Sequence, residues 1–312
     1  MANIKKSPHK VSVIGAGAVG ATLAQRIFEA GLADVVLVDI LKNIACGKAL
    51  DLIDAASVTG TEQTIVGTDD YKDIDGSDIV VITAGLPRKP GMSREDLIAK
   101  NAAIIRDVCG RIKTQAPNAI VIVVTNPLDS MTYLAWKLTG FPKERVFGMA
   151  GVLDGSRFAA LLADQAKAPR SSIETYVLGS HGDTMVPVVS KTLVSGKPVT
   201  SVMPKATLEN IVKRTRDRGA EIVSLLGTGS AYYSPSAAVF SMVSAILNDT
   251  KAVMTASAYM NGEYGLKDIF IGVPCKIGRA GIEKIVELEL SSDEKFALDN
   301  SAQVIKKTNV LL

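Results

Sequence analysis

The sequence contains little of what several classes of function require. Its 312 residues include three cysteines, Cys46, Cys109 and Cys275, which lie far apart and form no Cys-X-X-Cys pair. Neither a disulfide framework nor a thiolate zinc site is therefore expected, and a reducing compartment is favoured. Aromatic residues make up 5%, and 35 basic residues nearly balance 32 acidic ones. A nucleic-acid reader usually needs stacking aromatics or a basic excess, so the composition argues against that class.

Long hydrophobic runs are also missing. The longest, residues 119–124, is far shorter than a membrane span. The first ten residues are basic without an apolar stretch, which fits neither a secretory signal nor a long transit peptide. We therefore expect a cytoplasmic protein with no membrane segment. A hydrophobic content of 47% predicts a globular chain with an aliphatic core, and its length favours one large or two coupled domains.

The first half of the chain alternates apolar runs with helical patterns. The predicted strands are 10–14, 34–39, 64–67, 78–83 and 119–124, and the predicted helices are 19–30, 44–57 and 93–115. Ser93 and Asp96 form an acidic variant of a capping box at the start of the last of these helices. Strands separated by helices predict an α/β fold with a doubly wound parallel sheet.

The second half has a different, mixed α+β pattern. Its predicted helices are 152–167, 207–225, 235–247 and 292–308, and its predicted extended segments are 174–178, 186–190, 253–258 and 268–274. The change falls near residues 148–151, which predicts one domain over 1–149 and a second over 150–312.

A glycine-rich turn follows the first predicted strand. Gly15, Gly17 and Gly20 form Gly-X-Gly-X-X-Gly at the start of a helix, and Asp39 ends the next strand, nineteen residues after Gly20. In this context the motif predicts a Rossmann dinucleotide site, with the pyrophosphate at the helix N-terminus and the ribose hydroxyls on the acidic residue. The negative charge of Asp39 favours NAD over NADP. A methyltransferase can have a similar turn, so the motif alone does not fix the reaction.

Histidine is scarce, and the second of the two has small polar neighbours. His181 lies in YVLGSHGDTMVP after an apolar run, whereas His9 lies near the start of the chain. A histidine can transfer a proton near neutral pH, as oxidation of an alcohol by hydride transfer requires. Asp154 and Arg157, three residues apart in a predicted helix, could orient that imidazole and bind a carboxylate. A structural histidine and an ordinary surface ion pair remain the alternatives.

Polar residues also follow two other predicted strands of the first half. Residues 85–94, GLPRKPGMSR, contain Arg88 and Arg94 among glycines and prolines and predict a charged lid at the carboxyl end of the sheet. Asn126 ends the next strand, where its amide could bind a carbonyl oxygen. A solvated basic loop and a turn residue before Pro127 are the alternatives for these positions.

Together these segments resemble the lactate/malate dehydrogenase family, from about residue 10 to the C-terminal helix. The motifs that carry the resemblance are GAGAVG, LVD, TAGLPRKPGMSR, VTNPLD, GVLDGSRF and GSHGDTMVP. The resemblance implies that a Rossmann domain binds NAD and precedes the substrate domain. It also implies that His181 donates and accepts the proton, that Asp154 pairs with it, and that Arg157 binds the C1 carboxylate of the substrate.

The resemblance assigns further roles around the substrate. Arg94 would polarise the reacting carbonyl when the loop closes, Asn126 would orient substrate and nicotinamide, and Asn101 would join Asn126 in binding the cofactor. Arg88 occupies the position that separates substrates in the family, where an arginine pairs with the second carboxylate of malate or oxaloacetate. The expected activity is therefore NAD-dependent malate oxidation and oxaloacetate reduction, with no metal.

Two alternatives to this activity remain. A lactate dehydrogenase, or a 2-oxoacid reductase with relaxed specificity, would share every feature except the use of Arg88. A non-catalytic NAD-binding protein would bind the cofactor without turnover, although the complete set of polar residues argues against it. The resemblance also implies a homo-oligomer, more often a tetramer than a dimer, with residues 44–57 as a plausible interface helix.

Overall fold

A computed structural model describes residues 8–87 and 91–312 of the chain. In the first half, strands and helices alternate as the sequence predicts. The elements are β1 (Lys10–Ile14), α1 (Ala18–Glu29), β2 (Asp34–Val38), α2 (Lys42–Thr59), β3 (Ile65–Thr68), β4 (Ile79–Ile82), α3 (Arg94–Gln115), β5 (Ile120–Val123), α4 (Leu128–Thr139) and β6 (Val146–Met149). The predicted capping box opens α3, because Ser93 and Asp96 bond reciprocally to each other's backbone amides.

These six strands pair in parallel in the order β3-β2-β1-β4-β5-β6. Side chains along each strand alternate between two separate cores: Val11, Val13, Val35 and Leu37 pack in one, Ile14, Val36 and Val38 in the other. Both faces of the sheet are thus covered, as in a doubly wound fold. The strand order reverses between β1 and β4, and ligands bind at such switch points. The predicted Rossmann fold is confirmed.

The second half adds helices and antiparallel strands. Its elements are α5 (Gly151–Ala166), β7 (Ile173–Glu174), β8 (Val177–Leu178), β9 (Val186–Pro187), β10 (Leu193–Val194), β11 (Lys197–Pro198), α6 (Val199–Val202), α7 (Lys205–Leu226), α8 (Tyr233–Leu247), β12 (Ala252–Asn261), β13 (Lys267–Gly278), β14 (Gly281–Ile285) and α9 (Ser292–Asn309). Ser257 of β12 pairs with Gly148 of β6, so β12, β13 and β14 extend the parallel sheet. Within the described residues this sheet has nine strands.

α4, β6 and β14 were not predicted from the sequence, and the second half contains more and shorter elements than predicted. β6 reads VFGM, four residues with a glycine, and α4 directly follows Thr-Asn-Pro, residues typical of turns. The predicted strands 174–178 and 186–190 shrink to pieces of two residues. Because the sheet continues from β6 into β12, the division at residues 149 and 150 stays a prediction. None of the described helices is long and apolar enough to cross a membrane.

Candidate active site

Three side chains that the sequence analysis selected lie together beyond the carboxyl end of the sheet. His181 follows β8, and Asp154 and Arg157 lie in the first two turns of α5. The Nδ1 atom of His181 is 2.7 Å from Oδ2 of Asp154, and Nη1 of Arg157 is 3.5 Å from Oδ1 of the same carboxylate. Their side chains are 15%, 2% and 12% exposed, in the order His181, Asp154, Arg157. The carboxylate therefore connects the imidazole to the guanidinium in a largely buried cluster.

The surroundings of His181 favour its protonated form. Burial lowers the pKa of His181, but the charge and hydrogen bond of Asp154 and the charge of Asp129 outweigh burial, so the pKa lies above its ordinary value. Since Asp154 accepts the hydrogen bond of Nδ1–H, the proton at Nε2 is the one that can exchange. Among the described residues, none forms a hydrogen bond with Nε2. The imidazole is thus oriented on one side and available on the other.

Arg157 is a buried cation whose hydrogen-bonding capacity is only partly used. Its Nε atom has no hydrogen-bond partner among the described residues, and its one ion pair is the 3.5 Å contact with Asp154. Burial lowers the pKa of Arg157, the charge of Asp154 opposes this, and the charge of Arg218 adds to it. A guanidinium with unused donors matches a carboxylate ligand, which accepts two parallel hydrogen bonds.

The backbone that carries His181 is fixed from two sides. The backbone N–H of His181 donates to Oδ2 of Asp129 at 3.0 Å, and the preceding residue, Ser180, donates its N–H to Oγ of Ser301 at 2.7 Å. Oδ1 of Asp129 accepts a 2.7 Å hydrogen bond from Oγ of Ser257. The sequence analysis assigned no role to Asp129, Ser257 or Ser301. The only signal for Asp129 was its place in VTNPLD, as an acid in the first turn of α4.

The glycine turn has the shape that a pyrophosphate requires. Gly15 has φ +107°, and a Cβ on Gly20 would lie 1.9 Å from the carbonyl oxygen of Gly15, so neither position accommodates a side chain. A Cβ on Gly17 would meet nothing within 4 Å, so this residue faces open space. No side chain caps α1 at Gly17, and the first amides of the helix are left for a ligand. These features fit the pyrophosphate of NAD.

Asp39 lies beside this turn and stabilises it. Its carboxylate accepts hydrogen bonds from the N–H of Ala16 at 2.7 Å and from that of Leu41 at 2.9 Å. Two carboxylate oxygens have about four acceptor sites, so the two backbone bonds leave capacity for the ribose hydroxyls. Lys48 of α2 donates to the carbonyl of Ala16 at 2.6 Å and attaches that helix to the turn. Binding of the ribose by Asp39 stays a prediction that this placement supports.

The side chain of Asn101 contacts Asn126, but it binds the backbone carbonyl of Asn126 and not its side chain. The buried amide of Asn101 donates to the carbonyl of Asn126 at 2.7 Å, donates to the carbonyl of Leu86 and accepts from the N–H of Leu86 at 2.8 Å. Asn101 therefore ties together the segments that follow β4 and β5, and these contacts use both N–H groups and one of the two acceptor sites of its amide. Asn126 has an exposed side chain at the end of β5. Direct contacts of either residue with the cofactor remain predictions.

Of the two arginines of the predicted lid, Arg94 is described by the structure, and it is not part of the cluster around His181. Nη2 of Arg94 donates to Oγ1 of Thr308 on α9 at 2.9 Å, and no hydrogen bond or ion pair between described residues joins Arg94 to His181. The predicted specificity residue, Arg88, lies outside the described residues. Across residues 8–87 and 91–312, no group of three or more His, Cys, Asp and Glu side chains is arranged to hold a metal ion.

Comparisons with known proteins cover nearly the whole chain. A model of the lactate/malate dehydrogenase NAD binding domain matches residues 9–148, and a model of the lactate/malate dehydrogenase alpha/beta C-terminal domain matches residues 151–309. The chain is 51% identical over 298 residues to malate dehydrogenase of Methanosarcina mazei, an alignment that covers 96% of this chain and 97% of that protein.

Two solved structures from Cryptosporidium parvum have nearly the same fold as this chain. Its malate dehydrogenase is 39% identical with a TM-score of 0.94, over 97% of this chain and 98% of the other. Its lactate dehydrogenase, in complex with lactic acid and nicotinamide adenine dinucleotide, is 40% identical with a TM-score of 0.95, over 98% of both chains.

Proposed function

Because the chain belongs to the lactate/malate dehydrogenase family, we propose that it catalyses the reversible NAD-dependent oxidation of (S)-malate to oxaloacetate. The observation that carries this proposal is the buried cluster in which Asp154 pairs with His181 at 2.7 Å, next to the partly unsatisfied Arg157. NAD is the cofactor, since the first domain of the family binds it. When bound, NAD supplies the acceptor for the hydride from C2 of malate, and NADH supplies the hydride in reverse.

His181 moves the proton in this reaction. As malate is oxidised, Nε2 of His181 takes the proton of the C2 hydroxyl, and the resulting imidazolium is stabilised by the carboxylate of Asp154. In the reverse direction the same nitrogen gives the proton to the oxygen of oxaloacetate. The raised pKa of His181 suits the reductive direction, in which the imidazolium must be present before the reaction.

Arginines bind and polarise the substrate. Arg157 holds the C1 carboxylate through two parallel hydrogen bonds from its guanidinium. Arg94 leaves Thr308 when the loop closes and polarises the C2 carbonyl, while Asn126 orients the same oxygen. Closure of the loop removes water from around the reacting atoms, which strengthens these interactions.

Arg88 is proposed to set the preference for oxaloacetate over pyruvate. Its guanidinium would pair with the second carboxylate of oxaloacetate, whereas the methyl group of pyruvate would leave that charge unpaired and partly desolvated. The second candidate activity is lactate oxidation, because the lactate dehydrogenase of Cryptosporidium parvum resembles this chain as much as the malate dehydrogenase does. The fold therefore does not separate the two substrates, whereas Arg88 and the malate dehydrogenase relatives favour malate.

Initial rates of NADH oxidation with oxaloacetate and with pyruvate, measured side by side at neutral pH, test the proposal. We expect kcat/KM for oxaloacetate to exceed that for pyruvate by about 100-fold or more, and Arg88→Gln to remove most of this ratio. Lys89→Gln, which removes the neighbouring cation in the sequence, is the matched control and should keep the ratio. A rate with pyruvate equal to or above that with oxaloacetate would favour the lactate activity. Binding of NADH without turnover of either acid would favour the non-catalytic protein.

The proposal includes a homotetramer located in the cytoplasm. Exposed apolar side chains on α2, among them Ile44 at 47% and Leu50 at 62%, support a subunit interface on that helix. The free thiols of Cys46, Cys109 and Cys275 suit a reducing compartment. Light scattering after size-exclusion chromatography tests the assembly, and a mass near 33 kDa would contradict it. Fractionation of cells that naturally make the protein tests the location.

A further inference from the structure

We propose that Asp129 is a positioning residue for His181: it fixes the backbone that carries the catalytic imidazole and places a second carboxyl group beside it. This inference rests on the proposed function, because it assumes that His181 transfers the proton. Asp129 lies in the first turn of α4 and is 5% exposed. Neither of its oxygens faces solvent freely, since one binds the His181 backbone and the other binds Ser257.

The two hydrogen bonds of Asp129 join three elements of the active site. Asp129 is three residues after Asn126 on the segment that leads from β5 into α4. Its bond to the N–H of His181 holds the loop that follows β8. Its bond to Ser257 holds β12, where Ser257 pairs with Gly148 just before α5 and Asp154. The carboxyl group of Asp129 thus connects the segments that carry Asn126, His181 and Asp154.

Both ends of the His181 residue are therefore held by acids. Asp154 binds the ring at Nδ1, and Asp129 binds the main chain at the amide nitrogen. With the ring and the backbone both fixed, Nε2 has one direction in which to meet the substrate. Such orientation contributes to catalysis because a small displacement of a proton donor costs a large part of the rate.

The charge of Asp129 has a second effect. The charged groups that face His181 are Asp154 and Arg157 from α5 and Asp129 from α4, while Ser301, the contact from α9, is neutral. Asp129 and Asp154 raise the pKa of the imidazole, and Arg157 lowers it. A buried carboxylate is costly to keep, and a neutral acceptor of the same shape would tie the backbone equally well. Burial raises the pKa of Asp129 to about 6, while the hydrogen bonds from Ser257 and the His181 N–H and the charge of His181 oppose this rise. The imidazolium of His181 and the carboxylate of Asp129 therefore each favour the charged form of the other.

Two substitutions separate position from charge. Asp129→Asn keeps an oxygen that accepts from the His181 N–H, and its amide group can donate to Ser257, but the charge is lost. Asp129→Ala removes both the charge and the hydrogen bonds. Asp164→Asn is the control, because this acid of α5 has a side chain that is 81% exposed and lies at the far end of the helix. Ser257→Ala removes one of the two hydrogen bonds of Asp129 and leaves the carboxyl group itself in place.

The first measurement is the titration of His181 by NMR in the full chain with isotope-labelled histidine. The chain has two histidines, so the signal that disappears in His9→Gln belongs to His9 and the remaining signal belongs to His181. We expect Asp129→Asn to lower the pKa of His181, and Asp164→Asn to leave it unchanged. This titration needs no substrate, so it tests the effect of Asp129 even if the proposed activity fails. An unchanged pKa of His181 in Asp129→Asn would overturn the electrostatic part of the proposal.

The second measurement is kcat/KM for oxaloacetate as a function of pH. We expect Asp129→Asn to keep kcat within about tenfold of wild type, and the fall in kcat/KM with rising pH to occur at a lower pH than in the wild type. We expect Asp129→Ala to lose about 100-fold in kcat with an unchanged KM for NADH. An intermediate loss in Ser257→Ala would support the positioning role if Asp129→Ala does not fold. Wild-type kcat in Asp129→Ala, or an equal loss in both Asp129 variants with an unmoved pH profile, would overturn it. Absence of turnover in the wild type would refute the proposed function alone.

Discussion

Replacing Asp154 by asparagine changes one oxygen of its carboxylate to an NH₂ group, which cannot accept the hydrogen bonds that the carboxylate accepts. Oδ2 of Asp154 accepts from Nδ1–H of His181, and Oδ1 faces Nη1 of Arg157 at 3.5 Å. If the oxygen of the asparagine faced His181, its NH₂ group would point at the guanidinium of Arg157. If the NH₂ group faced His181, Nδ1 would have to be the acceptor and the proton would stay on Nε2. Neither arrangement preserves the present hydrogen bonds.

The expected loss follows from burial. Asp154 is 2% exposed and His181 is 15% exposed, so water does little to replace the lost charge. A hydrogen bond to a charged partner contributes about 1.5–3 kcal/mol, which corresponds to about 10-fold to 100-fold in rate. The unfavourable tautomer adds to this loss. We expect kcat/KM for oxaloacetate to fall by about 100-fold to 1,000-fold in Asp154→Asn.

The pH profile gives a second, independent result. In the proposed mechanism, reduction of oxaloacetate needs protonated His181, so the rate should fall as pH rises through the pKa of the imidazole. Asp154 raises that pKa, and Asp154→Asn should therefore move the fall in rate to lower pH. Initial rates of NADH oxidation between about pH 5 and 9 measure both effects. A variant within threefold of wild type, with an unmoved profile, would refute the role of the pair.

In the glycine turn, Gly17→Ala should leave the unfolding temperature unchanged, because its Cβ projects into open space. The same Cβ would occupy space where a phosphate would lie, so NADH binding should weaken about tenfold or more. Gly20→Ala should instead lower the unfolding temperature, since its Cβ would overlap a carbonyl oxygen at 1.9 Å. Calorimetry and NADH fluorescence separate the two outcomes, and equal behaviour would contradict the assignment. Arg157→Lys should raise KM for oxaloacetate about 10-fold to 100-fold, because lysine cannot form two parallel hydrogen bonds; an unchanged KM would remove Arg157 from the carboxylate site.

Local patterns were enough to select much of the candidate site. Gly15, Gly17 and Gly20 stand in one turn, and Asp154 and Arg157 are neighbours on one helix face, so periodicity and spacing predicted both groups. His181 is 27 residues from Asp154, and here the choice rested on the scarcity of histidine and on the family motif.

The remaining contacts could not be read from the sequence, because they join distant segments. Asp129 meets His181 across 52 residues and Ser257 across 128, and Arg94 meets Thr308 across 214. No local pattern marks such pairs, since each member alone is consistent with a helix start or a strand. The same limit explains why β6 and β12, which pair only in the folded chain, were not predicted as neighbours.

The pairing of β6 with β12 also governs how the protein can be divided. Without the second half, β6 would become an edge strand with unpaired backbone groups. The apolar side chains of the first half that pack against β12 and α8 would also be exposed to solvent. Exposed edges of this kind recruit strands from other chains and promote aggregation. The cofactor-binding half is therefore a poor candidate for separate production, and a newly made first half must wait for β12 before its sheet is complete.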